Sequence, residues 1–275
     1  MDYGTESVIE LEYKGRFAIL TINKPNKLNA LSRAQYYELA QKLREVADRS
    51  DVFITVLLAK GRFFSAGADV GMPRAAPAKD NKNLHREYLQ TFVAFNLNIA
   101  HAFYTYPKIL VVGLNGPVVG MSAAFVAHAD FIYCAPHTYL LTPFSSIGLV
   151  AEGSASRALV QRLGVSKANE ALIMSKRISA KDLQQCGFVN GIIDTDKEQD
   201  KLFREKVLKE VIARLGDHLI GDSLVEIKRL IRKPEMSILQ QQNVEEVFAG
   251  LERFMTGVPQ EQFNKLARGE KRHKL

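Results

Sequence analysis

Two uninterrupted apolar runs limit what this chain can become. Phe53-Ile54-Thr55-Val56-Leu57-Leu58-Ala59 and Lys108-Ile109-Leu110-Val111-Val112-Gly113-Leu114 are both of strand length and rich in β-branched residues, and neither alternates with polar positions. A strand with one wet face alternates; a strand that does not is covered on both faces, as in a parallel sheet flanked by helices. The segments around them supply those helices. Ser32 and Gln35 have the spacing of a capping box, opening a helix through about Arg49. Phe92, Phe95, Ile99 and Phe103 recur along one face of a helix running from about Leu84 to Tyr104. Strand, helix, strand is the repeating theme, which makes the fold class α/β.

The rest of the chain fits that theme. Val8 to Tyr13 and Arg16 to Ile22 flank Lys14-Gly15 as a hairpin. Asp130 to Cys134 and Thr138 to Leu141 read as short strands, followed by helical segments over Ala155 to Leu163, Ser166 to Met174 and Ala180 to Gln185. Val189 to Asp194 is a last strand-like element. From Gln199 onward the pattern is helical, interrupted at Gly216 to Gly221, at Pro234 and at Pro259. A soft boundary near Asp196 separates a core of residues 1–196 from a helical region of residues 197–275 that caps the core or packs on another subunit.

Composition excludes several functions. The 275 residues are 47% hydrophobic and 24% charged, enough for one large core with an appendage. No apolar run approaches the roughly 20 residues that span a bilayer, so stable membrane insertion is not expected. The N-terminus lacks the basic-then-apolar pattern of an export signal, and Cys134 and Cys186 have no Cys-x-x-Cys spacing, as in a reduced intracellular protein. The six histidines lack metal-ligand spacing, so no metal is expected. A net charge of +7 suits an anionic ligand such as a nucleotide or phosphate, but much of the excess sits in Arg268, Lys271, Arg272 and Lys274. No recognition helix or aromatic platform accompanies that tail, which argues against a nucleic-acid partner.

Three stretches carry chemistry. Ser146-Ile147-Gly148-Leu149-Val150-Ala151-Glu152-Gly153 places one carboxylate in apolar, glycine-flanked sequence. Removing water from a carboxyl raises its pKa toward the range where it exchanges a proton near neutral pH. The alternative is that Glu152 merely opens the following helix, where acidic residues are favoured. Gly61 to Val70 follows the first buried strand as a small-residue loop, where ligands gather in α/β folds and can approach backbone N–H groups. Pro117-Val118-Val119-Gly120 closes the second strand and leads into a small-residue helix from Met121, whose first N–H groups lack internal partners. Close packing accounts for small residues in both places equally well.

Phe64-Ser65-Ala66-Gly67-Ala68-Asp69 followed by Asn115-Gly116-Pro117-Val118-Val119-Gly120 resembles the paired signature of the crotonase (enoyl-CoA hydratase/isomerase) superfamily, from about Val8 to beyond Asp194. The resemblance implies a spiral of ββα turns, a helical C-terminal region that builds trimers or hexamers, acyl-CoA thioester substrates and no separate cofactor. It implies that the backbone N–H groups of Ala68 and Met121 hold the thioester oxygen, with Ala66, Gly67, Asp69, Val70 and Gly120 around the substrate. It puts Lys27 and Leu28 near the CoA nucleotide and Asn96 as a second polar contact near Glu152.

Departures narrow the chemistry. The two positions at which hydratases of the superfamily carry glutamates hold Ala124 and Phe144, and addition of water uses both carboxylates. The remaining carboxylate, Glu152, is similar in place to the single base of the fungal peroxisomal Δ3,Δ2-enoyl-CoA isomerases. The expectation is an isomerase of fatty-acid β-oxidation that shifts a 3-enoyl-CoA double bond to the 2-position by moving one proton from C2 to C4. Dienoyl-CoA isomerisation, a hydratase-like activity and a non-catalytic acyl-CoA-binding subunit are the alternatives. His273-Lys274-Leu275 is similar to a Ser-Lys-Leu peroxisomal address, which implies a peroxisomal matrix location and its targeting receptor as a partner.

Overall fold

A computed structural model describes residues 7–72, 74, 77 and 83–273 of the protein. The hairpin forms as read: β1 (Ile9–Lys14) pairs antiparallel with β2 (Phe17–Ile22), and Gly15 turns the chain at φ 55°. β3 (Ile54–Ala59) and β4 (Ile109–Leu114) are buried at every position. Five short or medium strands follow: β5 (Val118–Val119), β6 (Phe131–Cys134), β7 (Tyr139–Leu141), β8 (Ile178–Ser179) and β9 (Gly191–Ile192). The large sheet runs β1-β2-β3-β4-β6-β9 and is parallel except at β1; the small sheet runs β5-β7-β8.

The order of pairing is a spiral. Each turn gives one strand to the large sheet and then a shorter piece to the second sheet before a helix returns the chain. β4 is followed by β5 and β6 by β7, while β3 is followed by a single bridge from Ser65 to Val118. This is the ββα repeat that the resemblance implies. Sequence places the last strand over Val189 to Asp194; only Gly191–Ile192 forms a ladder, opposite Tyr133 and Cys134 of β6, and just before it the Asn190 side chain accepts the Ile132 N–H at 2.8 Å.

The helices are α1 (Arg33–Ala47), α2 (Leu84–Tyr88), α3 (Ala94–Tyr104), α4 (Met121–Val126), α5 (Ala155–Leu163), α6 (Val165–Leu172) and α7 (Ala180–Gln185), then α8 (Asp200–Leu215), α9 (Gly221–Arg232), α10 (Met236–Met255) and α11 (Val258–Ala267). The capping box of α1 is present: Gln35 N donates to Ser32 Oγ at 3.2 Å, and Ser32 N donates to Gln35 Oε1 at 3.0 Å. The helix expected over Leu84 to Tyr104 is continuous but widens to a π-helical stretch at Leu89–Val93 between α2 and α3.

Both faces of the large sheet are covered, which is why its strands do not alternate in sequence. Ile54, Val56 and Leu58 point to α8, meeting Phe203, Val207 and Val211, while Leu57 and Ala59 point into the main core. Each such side chain withdrawn from water contributes about 1.5–3 kcal/mol. The helices beyond residue 197 are part of this packing, since Leu239, Val247, Leu251, Phe254 and Phe263 belong to the same cluster as α1, α3 and α4. No helix among the described residues is long and apolar enough to cross a membrane.

Candidate active site

The loops that leave β3 and β4 are zipped together. Phe64 N and Ser65 N donate to Pro117 O at 3.1 and 3.3 Å, and Val119 N donates to Ser65 O at 2.9 Å. Gly67, at φ 85°, passes so near Val119 that a Cβ there would stand 2.8 Å from the Val119 oxygen. Gly120, at φ 62° and ψ −132°, then turns the chain into α4. These two glycine elbows bring Ala68 and Met121 to a common cleft, where neither N–H finds an acceptor among the described residues. Such a pair of fixed donors stabilises an oxyanion better than a neutral carbonyl oxygen.

Buried hydroxyls support the loops from below. Ser65 Oγ donates to Asn29 O at 2.8 Å and accepts from Gly67 N at 3.1 Å. Its one hydrogen is thereby spent, so Ser122 Oγ donates to it across 2.9 Å and Tyr36 Oη donates to Ser122 Oγ across 2.9 Å. The chain of hydroxyls has one direction, ending on Asn29, whose side chain donates to Lys60 O and Phe63 O at 2.8 Å each.

Glu152 enters the cleft from the other side. It follows a 3-10 turn at Ser145–Ile147 and precedes two left-handed residues, Gly153 at φ 75° and Ser154 at φ 62°. A non-glycine residue held in that conformation costs on the order of 1–3 kcal/mol. The position is paid for by contacts: Ser154 N donates to Glu246 Oε2 at 2.7 Å, Ser154 Oγ donates to Leu239 O at 3.3 Å, and His128 Nε2 donates to Gly153 O at 2.9 Å. Burial pushes the His128 imidazole down to about 4, so it is neutral at physiological pH. Gly153 rests against α4, where a Cβ would stand 3.1 Å from Ala124 Cβ and 2.9 Å from the Phe125 ring.

The carboxyl of Glu152 is 7% exposed, and burial, reinforced by the neighbouring Glu246, pushes its pKa up to about 8, with Arg74 pulling the other way. Two adjoining cavities of about 80 and 70 Å³ share Ala68, Met121, Leu149, Glu152 and Phe263. Both are smaller than the roughly 300 Å³ of an ordinary ligand pocket. Arg74 is part of the lining: its guanidinium lies 3.8 Å over the Phe263 ring and donates to Met72 O at 3.0 Å and Asp69 O at 3.1 Å. Asn96 Nδ2 is buried, has no partner among the described residues, and borders the same cavity as Glu152.

Of the residues singled out in sequence, Glu152, Asn96, Ala66, Gly67, Ala68, Val70, Gly120 and Met121 line this cleft. Lys27 is exposed and outside it; Leu28 is half-buried and accepts the Ala66 N–H at 2.9 Å. Asp69 turns away to Lys24 at 3.4 Å and accepts Gly71 N at 3.0 Å. His273 borders the cleft beside Leu266, whereas Lys274 and Leu275 lie outside the described residues. Sequence reasoning missed Tyr36, Arg74, Phe254 and Phe263 as walls and Glu246 as a support; the helical spacing of aromatics in α10 and α11 was the signal available for two of them. The described residues hold no cluster of side chains that could bind a metal.

A carboxyl that exchanges a proton, facing two free N–H donors in an apolar cleft, can polarise a carbonyl and move a proton on the adjacent carbons. Comparison with known proteins gives the family. The enoyl-CoA hydratase/isomerase family profile matches residues 12–253. A protein of Pyricularia oryzae named Delta(3,5)-Delta(2,4)-dienoyl-CoA isomerase is 61% identical over 98% of this chain and 99% of its own. The 3,2-trans-enoyl-CoA isomerase of Saccharomyces cerevisiae is 32% identical over 97% of this chain and 96% of its own. A crystal structure of an enoyl-CoA hydratase/isomerase from Pseudoalteromonas atlantica covers 98% of this chain and all of that one at a TM-score of 0.80 and 24% identity, a likeness of fold.

Proposed function

The chain belongs to the enoyl-CoA hydratase/isomerase family, and from that premise we propose that it is an isomerase that shifts the double bond of a 3-enoyl-CoA to the 2-position. The observation that carries the reading is a buried carboxylate, Glu152, sharing one cleft with the free N–H groups of Ala68 and Met121. The C2 protons of a 3-enoyl thioester lie between a carbonyl and an alkene. Glu152 takes one, and the charge spreads over a dienolate from the thioester oxygen, held by the two N–H groups, to C4. The same carboxyl returns the proton at C4, giving the conjugated 2-enoyl-CoA. No added group is consumed; CoA is part of the substrate. Ala124 and Phe144 leave no second carboxylate to orient water, and Phe144 and Leu149 in the wall keep water out.

A second reading has its own support. The 61% identical relative is named for 3,5-dienoyl substrates, in which the charge extends to C6 and the proton returns there. Turnover of 3-enoyl-CoA and 3,5-dienoyl-CoA by the purified protein, followed through the absorbance of the conjugated products, separates the two. A larger kcat/KM for 3-enoyl-CoA that vanishes in Glu152→Gln supports the first; the reverse preference moves the assignment to the second. Acyl-CoA binding without turnover of either leaves a non-catalytic subunit.

The wider reading has two further parts. Ile227, Leu230 and Ile231 on α9 are 55, 60 and 68% exposed beside a cavity of about 500 Å³ that shares no residue with the cleft, which supports self-assembly as a trimer or hexamer. A monomer in sedimentation would remove it. The C-terminal His273-Lys274-Leu275 supports a peroxisomal address, tested by a reporter fused to these residues: punctate signal agrees, diffuse signal does not.

A further inference from the structure

We propose that Glu246, on α10, is a positioning residue for Glu152: its carboxylate clamps the turn that carries the base and fixes a negative charge beside it. The inference rests on the reading of Glu152 as the proton carrier.

The geometry is bidentate. Glu246 Oε2 accepts Ser154 N and Oε1 accepts Ser156 N, each at 2.7 Å. Both oxygens thus face N–H donors at the start of α5, where the helix carries its partial positive charge, and an acid proton on either would displace a donor. Glu246 is therefore the anion of the pair, although burial pushes its own pKa upward. It is 6% exposed, so little water screens it from Glu152, two residues before Ser154. Ser156 Oγ donates to Gln242 Oε1 at 2.7 Å, so the neighbouring turn of α10 grips the same segment.

The other charged and titratable groups around the turn leave that role to Glu246. Arg74 lies across the cleft and opposes it; Arg33 and Tyr36, from α1, border the cavity. Arg253, on α10, is committed to Gly148 O at 2.8 Å. His128 is neutral and committed to Gly153 O. His273 borders the far cavity with its pKa lowered by burial. Glu246 is the group among them that both bonds the turn and carries a like charge.

The test compares two neutral variants, Glu246→Gln and Glu246→Met, with the charge-retaining Glu246→Asp, each confirmed as folded by circular dichroism. Carbon-13 NMR titration of the Glu152 carboxyl and the pH profile of kcat/KM are the readouts. In either neutral variant the Glu152 midpoint and the acid limb fall together by about one pH unit, while in Glu246→Asp both stay near the unmodified protein. A midpoint unchanged in a folded neutral variant, with only kcat or melting temperature lowered, overturns the proposal and leaves a structural cap. Absence of isomerase activity in the unmodified protein refutes the function reading instead, and the NMR titration still decides the coupling.

Discussion

The two sides of the cleft are built in opposite ways. The donor side is main chain: Ala68 and Met121 are placed by loops that leave adjacent strands β3 and β4, and what the sequence must supply is glycine at 67 and 120. The carboxyl side is a single side chain on a turn outside both sheets, secured by Glu246 and Leu239 at sequence distances of 92 and 85 residues. A backbone donor tolerates almost any side chain at its own position, as Met121 does. A titrating side chain depends on everything that packs around it, and here much of that lies in the helices after residue 197.

If that contrast is right, the largest loss comes from the single side chain. Glu152→Gln keeps the shape and removes the basicity, and its kcat for a 3-enoyl-CoA should fall on the order of a thousandfold or more in a steady-state assay. Damage to the donor side requires moving backbone. Gly67→Ala forces a Cβ against the Val119 oxygen in a left-handed conformation and should displace the Ala68 N–H, costing about 100- to 1000-fold in kcat with binding of a saturated acyl-CoA largely kept. Equal effects on kcat and on acyl-CoA binding would erase the distinction between the two sides.

The pH dependence belongs to the carboxyl side alone. Glu152 must be ionised to act and its pKa is about 8, so kcat/KM should rise with pH, about tenfold per unit, and level off above about 8. Stability runs the other way. The folded-state pKa lies above the ordinary 4.5, so the contribution is full below about pH 4.5 and is lost as pH rises through about 8. Glu152→Gln removes the term, and its melting temperature should overtake that of the unmodified protein as pH rises, by the equivalent of a few kcal/mol at most. The smallest effect is expected at Ser122→Ala, which breaks the hydroxyl chain under the donors: about 1 kcal/mol in denaturant unfolding and a few-fold in kcat, with no shift of the pH profile.

The same contrast explains what could be read from sequence. The hairpin, the Ser32–Gln35 capping box, both buried strands and the helices Ala155–Leu163 and Ala180–Gln185 are set by neighbours in the chain, and they stand where the pattern puts them. The paired loops were legible because their glycines follow strands at fixed places. Glu152 stood out because a carboxylate in apolar sequence is conspicuous. The roles of Phe254, Phe263 and Glu246 were not legible, since a helical pattern from Gln199 onward gives faces and spacing but not the partner each face meets; Arg74 sits before α2, where no periodicity marks a side chain. The π-helical widening at Leu89–Val93 has no signature in spacing.

The close pass of Gly153 over Ala124 carries a lesson for redesign. Position 124 is where the resemblance puts one of the glutamates that add water, and here the Ala124 methyl packs against the bend that delivers Glu152, so closely that a Cβ on Gly153 would stand 3.1 Å from it. The two furnishings are rival tenants of the same corner. Grafting glutamate at 124 alone would evict the resident acid before any new reactivity arrived, so a change of trade on this scaffold has to begin by rerouting the peptide between Leu149 and Ser154.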